Sequence, residues 1–404
     1  MSHDAAPDTI RAEQVTIPGG HPLARVPMIG AGIGVLGLIA SFVARANDPK
    51  QFAFSWLVAF LFFLSLGLGA LFFVLIHYAT QAGWGIVVRR LAENTMAALP
   101  LFALLFIPLI LSMTELFPWV GKTAGSKDLV LAGKAPYLNT QFFLVRAAIY
   151  FTCWSAIALY YGGRSRKQDA SGDRSISLRL RGLAGPALIV MALTQTFAAV
   201  DWIMSLNPYW YSTMFGVYWF AGSFVSFFAL MTLMVVLLRR AKLMANAVSM
   251  EHFHDLGKLL FAFTVFWAYI GFSQFFLIWY GNIPEETIFF RHRLVGSWGS
   301  VSLLLAAGHF VIPFFFFMPR SIKRKPALLA AGAAWMLAMH AVDVYWLVMP
   351  VQRPSGIAFG LADIGAFLAV GGFFAAAVGF RMLGAPLLPV GDPRLSESLS
   401  FENF

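Results

Sequence analysis

The stretch DLGKLLFAFTVFWAYIGFSQFFLIWYGNIPEE, residues 255–286, decides the fold. Residues 259–279 of it carry no charge, and ~20 apolar residues rising about 1.5 Å each cross the ~30 Å hydrocarbon core of a bilayer. The sequence therefore predicts a transmembrane helix that begins near Lys258. The Asn-Ile-Pro sequence that follows ends the helix and leaves Glu285 and Glu286 at the membrane surface.

This helix also contains Thr264, Tyr269, Ser273 and Gln274, whose polar groups cost free energy in lipid unless another helix satisfies them. The pattern predicts a position inside a helix bundle.

The composition of the whole chain indicates an integral membrane protein. Hydrophobic residues make up 59% and charged residues 12%, with a mean hydropathy of +0.73. The net charge of +10 comes from basic residues in short loops, which is typical of membrane topology rather than of nucleic-acid binding. The one cysteine, Cys153, lies within an apolar segment, which excludes an intramolecular disulfide and a cysteine-ligated iron–sulfur cluster, and no C-x-x-C-H haem motif is present.

Hydropathy predicts an all-α membrane protein with ten spans. Their approximate bounds are 26–44, 52–80, 95–117, 141–161, 182–206, 215–238, 259–279, 289–318, 327–349 and 359–383. Segment 81–94 before the third span is interpreted as a short interfacial helix.

The chain reads as one membrane domain in several parts. Residues 1–25 are polar without the apolar core of a signal peptide, so we expect a cytoplasmic segment, disordered or partner-bound. Spans one to four occupy 26–161 and spans five to ten 182–383, separated by a Ser- and Arg-rich segment, 162–181, interpreted as a basic linker. A tail, 384–404, completes the chain.

Charge placement predicts the orientation. The termini and the loops on their side carry 19 Lys and Arg residues, and the other loops carry 8, so both termini are expected to be cytoplasmic. This orientation divides the ionisable residues of the spans into two groups. Candidates near the outer face are Glu115, Arg146, Asp201, His340, Asp343 and Asp363, and candidates for a cytoplasmic half-channel are His77, Lys258 and His309.

Ionisable residues inside a membrane are costly and mark ion, proton or ligand paths by default. Asp201 fits such a path, or it is a helix-end carboxylate that reaches the interface. Glu115 and Arg146 could form an interfacial ion pair. His77 and Lys258 could instead extend to the headgroups. Asp363, at the start of span ten, is a further candidate.

His340 and Asp343 are three residues apart and share a helix face. A carboxylate beside an imidazole suits proton transfer, and the alternative is a polar pair that joins two helices. His309 has the same two interpretations. A bis-histidine haem is not expected, because at about 1.5 Å per residue His309 lies ~27 Å and His340 ~13 Å from the outer ends of their predicted spans.

Five segments resemble one family. They are HYATQAGWG at 77–85, GKAPYLNTQFF at 133–143, DWIMSLNPYWYSTMFG at 201–216, WAYIGFSQFFLIWYGNIPEE at 267–286 and HAVDVYWLVMP at 340–350. Together they resemble the NrfD-like (polysulfide-reductase-C-like) membrane subunits of bacterial alternative complex III, of the ActF type. The resemblance extends over residues 25–385.

The resemblance implies two four-helix bundles, spans two to five and six to nine, plus two peripheral helices. It implies a complex in the bacterial inner membrane that oxidises quinol (menaquinol or ubiquinol). Electrons pass to iron–sulfur clusters and c-type haems in partner subunits, and then to a cytochrome or a terminal oxidase. No cofactor or metal is expected in this chain. The quinol site is expected in the ActC-like sister subunit, since span three here ends in Thr114-Glu115-Leu116 without a histidine.

Three functions remain open at this stage. The chain could serve proton transfer or quinol oxidation in a redox complex, act as a secondary transporter, or have a purely architectural role. Matching Gly/Pro-broken spans in two halves would favour the transporter, but Gly296, Gly299 and Pro313 in span eight have no evident counterpart.

Overall fold

The structure, a computed structural model, describes residues 15–122 and 127–403. Within these ranges ten helices are long and apolar enough to cross a membrane, which confirms the predicted all-α fold. They are α1 Val26–Asn47, α2 Pro49–Thr80, α3 Ile86–Ile110, α4 Thr140–Ser171, α5 Arg174–Trp202, α6 Phe215–Arg240, α7 Met250–Gly281, α8 Gly296–Phe317, α9 Pro326–Gln352 and α10 Leu361–Met382. Most of the 1–25 segment lies outside the described residues.

The helices alternate in direction, which gives the molecule two sides. The terminal side holds residues 15–25 and the tail 383–403, which meet at a bridge between Ile17 and Leu383. The opposite side holds the α1–α2 turn at Asp48 and a short helix, Pro284–Leu294.

Helix α2 is the centre of the molecule. It is apolar on all faces and almost completely buried, as expected for a helix surrounded by other helices. It packs against α3 and α5 of the first four-helix group, α2–α5, and against α6 and α9 of the second group, α6–α9. Gly69 allows a close approach between the groups, because a Cβ there would lie 2.5 Å from the Ser223 carbonyl oxygen of α6.

Helices α1 and α10 form a pair beside these groups and pack against each other along their length. Gly37 of α1 faces the α10 backbone so closely that a Cβ would lie 2.3 Å from the Ala369 nitrogen. Small residues permit such contacts between membrane helices. The outward faces of both helices carry apolar side chains suited to lipid.

The start of α3 differs from the predicted interfacial helix. Residues Ile86–Met96 are all buried, and the span begins at Ile86 rather than near 95. The helix is interrupted after Met96 and around Pro108, and its short segments are Leu99–Leu105 and Ile107–Ile110, followed by Met113–Leu116. The charges of Ile86–Met96 are satisfied inside the protein, and an interfacial position of this segment stays a prediction.

The predicted basic linker, 162–181, is helical. Residues up to Ser171 continue α4, and α5 starts at Arg174 after a two-residue turn. Asp173 caps α5 by accepting a hydrogen bond from the Ser175 amide. Two long helices therefore extend beyond the apolar spans on the terminal side, because Ser and Arg are tolerated in a helix that is exposed to water.

Helix α7 has a more peripheral position than its sequence predicts. Thr264 and Gln274 are buried, but Tyr269 is 64% exposed on the outward face. The helix ends at Gly281, and Asn282 adopts a left-handed conformation. The eighth span also differs from its predicted bounds, 289–318. Residues up to Leu294 belong to the separate short helix, and α8 starts at Gly296.

The remaining short helices are Leu129–Lys134, Arg320–Lys323 and Leu395–Leu399, with 3-10 turns at Pro22–Arg25 and Met204–Leu206. Leu395–Leu399 belongs to the tail, which crosses the terminal side. There the Ser398 hydroxyl donates to the Trp84 carbonyl oxygen, and the Asn403 side chain contacts Glu251 of α7.

Candidate functional site

His340 of α9 lies in the buried centre, between the two helix groups. Its Nε2 is 2.9 Å from the Ser65 hydroxyl of α2, and the Phe62 ring covers one side of the imidazole. On α6, a Cβ at Gly222 would lie 3.2 Å from His340 Nδ1, so the glycine makes room for the ring. Nδ1 itself has no hydrogen-bond partner.

Asp343 lies one helical turn from His340 and is also buried. The Tyr218 hydroxyl of α6 donates to its Oδ1 at 2.5 Å, and the Trp267 indole of α7 donates to Oδ2 at 3.1 Å. Both donors are neutral. Among the described residues, no Lys or Arg forms an ion pair with Asp343.

His309 completes the cluster from α8. It lies in a π-helical turn, Ala306–Val311, a type of distortion that is frequent at functional sites. Its ring is fully buried and contacts Trp267 in a tilted arrangement, with 3.9 Å between centroids and 35° between the ring planes. Neither ring nitrogen has a hydrogen-bond partner. We call Ser65, Tyr218, Trp267, His309, His340 and Asp343 the central cluster.

The predicted depth difference between the two histidines is wrong. With α8 starting at Gly296 and α9 ending at Gln352, about 1.5 Å per residue puts His309 about 20 Å and His340 about 18 Å from the opposite side. The argument from depth against a shared haem therefore fails, and the expectation of no haem in this chain stays a prediction.

Asp201 has a different environment, in the first helix group. Arg146 of α4 donates to both of its carboxylate oxygens, at 2.8 and 3.0 Å, and Tyr150 donates at 2.7 Å. The guanidinium also contacts two aromatic rings, with the Tyr137 centroid 3.9 Å and the Phe142 centroid 4.3 Å away. Asp201 is fully buried within the protein at the end of α5, so it is a helix-end carboxylate with a partner inside the protein.

The expected Glu115–Arg146 pair does not form, because Arg146 is engaged by Asp201. Glu115 accepts a hydrogen bond from the neighbouring Thr114 hydroxyl at the opposite side. Asp363 is buried at the start of α10, where it accepts hydrogen bonds from Ser55 at 2.7 Å and from the Gly360 amide at 2.8 Å. These groups are separate from the central cluster.

The candidates near the terminal side are also dispersed. His77 is buried in α2, with Nδ1 3.0 Å from the Phe73 carbonyl oxygen and Nε2 unpartnered. Lys258 is partly exposed, pairs with Asp255 and donates to Asn403 of the tail. His309 belongs to the central cluster instead. The three do not contact one another.

The sequence did not single out a buried ion network at the start of α3. Arg89 pairs with Glu93 at 3.2 Å and with Asp392 of the tail at 2.6 Å, and Arg90 pairs with Asp169 of α4 at 2.6 Å. The three acidic partners explain how two adjacent arginines are buried. The network connects α3, α4 and the tail on the terminal side.

Arg293, in the short helix, is one of the eight Lys and Arg residues counted above in the loops of the opposite side. In the structure it is buried. It donates to the carbonyl oxygens of Phe289, Trp346 and Leu347 at 2.8–3.1 Å, and its guanidinium lies 3.6 Å from the Phe289 ring centroid. Burial lowers the pKa of Arg293 to about 9, so it stays cationic at neutral pH. It fastens the short helix to α9.

The two buried aspartates therefore differ in their chemistry. Asp201 is fixed in a bidentate ion pair, whereas Asp343 has neutral donors only. A carboxyl group without a cationic partner can gain and lose a proton without leaving another buried charge uncompensated. Sequence reasoning identified His340, Asp343 and His309, but Ser65, Tyr218 and Trp267 were missed as site residues, because their contacts join distant helices.

No group of three or more His, Cys, Asp or Glu side chains in the described parts of the chain is arranged to hold a metal ion. The expectation that this chain binds no metal stays a prediction. The chain matches no model of a known protein family and no curated protein among those compared.

Proposed function

We propose that this chain is an NrfD-like, ActF-type membrane subunit of a bacterial alternative complex III, in which the central cluster transfers protons. The complex oxidises quinol, and its ActC-like sister subunit, iron–sulfur protein and multihaem cytochrome c subunits carry the quinol pocket and the redox centres. Both termini face the cytoplasm of the inner membrane. The five sequence segments and the ten-helix architecture support this assignment.

One observation carries the proton-transfer role: Asp343 is buried without a cation beside it. Three imidazole nitrogens of His309 and His340 are buried and unpartnered nearby. Such nitrogens can accept a proton or bind a water molecule. Together with Ser65, they provide exchangeable sites near Asp343, on the side of it that faces the chain termini.

Asp201 has a structural role rather than a role in proton transfer. Its bidentate ion pair fixes α4 to α5, and a proton could bind there only by weakening a charge-assisted hydrogen bond.

Proton release during quinol oxidation tests the proposal. The native complex would be purified in mild detergent with wild-type chain, with Asp343→Asn, or with Glu115→Gln, a carboxylate variant outside the cluster. We expect turnover to persist in Asp343→Asn while the protons moved in addition to the two that each quinol releases on oxidation are lost, and Glu115→Gln to match wild type.

Two results would count against the proposal. Unchanged proton release in Asp343→Asn would leave an architectural role as the simplest explanation. Complete loss of turnover in an intact, haem-replete complex would instead place quinol chemistry in this chain.

A further inference from the structure

Two arginines meet on the terminal side, where α4 and the end of α10 come together beside α3. Arg166 of α4 donates to the Arg381 carbonyl oxygen of α10 at 2.5 Å and to the Asn94 side chain of α3 at 2.9 Å. Helix α10 starts at Leu361, so at about 1.5 Å per residue Arg381 lies about 30 Å along it, the thickness of the hydrocarbon core. Arg166 and Arg381, which we call the arginine pair, therefore lie at the level of the lipid headgroups.

The arginine pair lacks anionic partners. Neither residue forms an ion pair with a carboxylate among the described residues. Both acceptors of Arg166 are neutral, and Arg381 Nε is buried without a hydrogen-bond partner. The carboxylates of the adjoining ion network are already engaged, since Glu93 and Asp169 both pair with Arg90. A buried cationic donor without an acceptor is costly, so an anion is expected at the arginine pair.

Arg381 differs in this respect from the other buried arginines of the described chain. Arg89, Arg90 and Arg146 pair with carboxylates. Arg293 has no carboxylate, but it donates to three backbone carbonyl oxygens. The Nε of Arg381 has neither kind of acceptor.

An apolar groove leads from the arginine pair toward the opposite side. Its floor is the outward face of α3, where Leu104, Ile107 and Leu111 are 65%, 48% and 62% exposed. Helices α10 and α4 flank this face, because Phe102 of α3 contacts α10 and Phe106 contacts α4. We call it the α3 groove. It is open to the bilayer along its length and has a cationic end.

We propose that the arginine pair and the α3 groove bind a phospholipid with an anionic headgroup. The phosphate oxygens accept hydrogen bonds from the two guanidinium groups, whose geometry suits phosphate, and the acyl chains lie along the groove. Leu104 is about 15 Å from Asn94 at about 1.5 Å per residue, which is half of the ~30 Å hydrocarbon core. The groove therefore matches the chains of a lipid in the leaflet on the terminal side.

The charge of the site favours an anionic headgroup over a zwitterionic one. Two cations face the phosphate, and the carboxylates nearby are bound to Arg90, so a headgroup amine would find no counter-ion. Anionic lipids also attract basic residues at the membrane surface in general. This site goes beyond proton transfer at Asp343 and does not depend on it.

Native mass spectrometry of the full chain in detergent micelles tests the proposal, because it gives a dissociation constant for each bound lipid. The ligands are phosphatidylglycerol and phosphatidylcholine with identical acyl chains. The variants are Arg381→Gln and Arg166→Gln. The control is Arg164→Gln, which removes a cation of α4 that lies over the Tyr160 ring instead. Because Arg381 Nε has no partner, we expect Arg381→Gln to fold with an unchanged melting temperature.

We expect wild type and Arg164→Gln to bind phosphatidylglycerol about tenfold more tightly than phosphatidylcholine. Each variant of the arginine pair should lose about tenfold in phosphatidylglycerol affinity, as for one charged hydrogen bond. Phosphatidylcholine affinity should fall less, by about twofold, because choline offsets the phosphate charge. Equal phosphatidylglycerol affinity in wild type and Arg381→Gln would overturn the proposal.

Two further results would also overturn it. Inorganic phosphate should not displace the lipid, because it makes no contact with the α3 groove, and displacement at an equal concentration would assign the arginine pair to free phosphate. The absence of any preference for phosphatidylglycerol is the result expected if an acidic residue of the segment 1–14, such as Glu13, pairs with Arg381.

Discussion

Asp201 and Asp343 are both buried carboxylates, but only Asp201 balances a buried cation. We expect Asp201→Asn to lower the free energy of unfolding by about 3–5 kcal/mol, because Arg146 would be left as an uncompensated charge. Asp343→Asn keeps an acceptor for Tyr218 and should cost about 1–2 kcal/mol. Unfolding by SDS in mixed micelles measures both. Equal losses would contradict the distinction between an ion-paired and a neutral site.

Gly222 makes space for the central cluster, since a Cβ there would lie 3.0 Å from His340 Cε1. We expect Gly222→Ala to displace the imidazole, to destabilise the protein by about 1–3 kcal/mol and to reduce proton release in the complex. Gly163→Ala is the matched control, because nothing lies within 4 Å of its added Cβ. Wild-type proton release in Gly222→Ala would show that the position of His340 is not critical.

At the scale of single residues, sequence reasoning identified the ionisable groups but not their partners. His340 and Asp343 were recognised as a pair because three residues separate them on one helix. Arg146 and Asp201 are 55 positions apart, and only the packing of α4 on α5 brings them together. The possible ion pair between Glu115 and Arg146 therefore does not form, because Arg146 pairs with Asp201.

The α1–α10 pair depends on close backbone contact. Gly37→Ala would place a Cβ 2.3 Å from the Ala369 nitrogen, and backbone atoms cannot move aside as a flexible side chain can. We expect α1 to detach partly, with a loss of about 1–3 kcal/mol and faster proteolysis before α2. Gly32→Ala, whose Cβ meets nothing within 4 Å, should be neutral or stabilising. Identical proteolysis of the two variants would contradict this packing.

Hydropathy predicted the ten helices, because only ~20 apolar residues satisfy the bilayer at each span. The ends of helices were harder to predict. Segment 81–94 was interpreted as a short interfacial helix, and its charged residues Arg89, Arg90 and Glu93 are buried in the protein. Their partners Asp169 and Asp392 come from distant parts of the chain, so local sequence could not show that they are neutralised.

The orientation of the whole molecule can be tested by labelling introduced cysteines. In a Cys153→Ser background, Ser400→Cys lies on the terminal side and Ser355→Cys on the opposite side. The positive-inside rule predicts that a membrane-impermeant maleimide labels Ser355→Cys in intact spheroplasts and Ser400→Cys only after lysis. The reverse pattern would contradict the proposed cytoplasmic location of both termini.

The position of α7 could not be deduced from its composition. Its polar residues indicated an interior helix, but α2 and α6 fill the centre and leave α7 at the periphery. As a result, Gln274 faces a lateral cleft rather than another helix. The sequence therefore predicted the fold and part of the central cluster, whereas the cleft arises from how the helices pack.

Infrared difference spectroscopy of the complex between its oxidised and quinol-reduced states tests the central claim most directly, because it detects the carbonyl stretch of a protonated carboxyl group. We predict a carboxyl band in the wild-type difference spectrum that is lost in Asp343→Asn and retained in Glu115→Gln. A carboxyl band that is unchanged in Asp343→Asn would show that Asp343 does not exchange a proton during turnover, and would contradict the account.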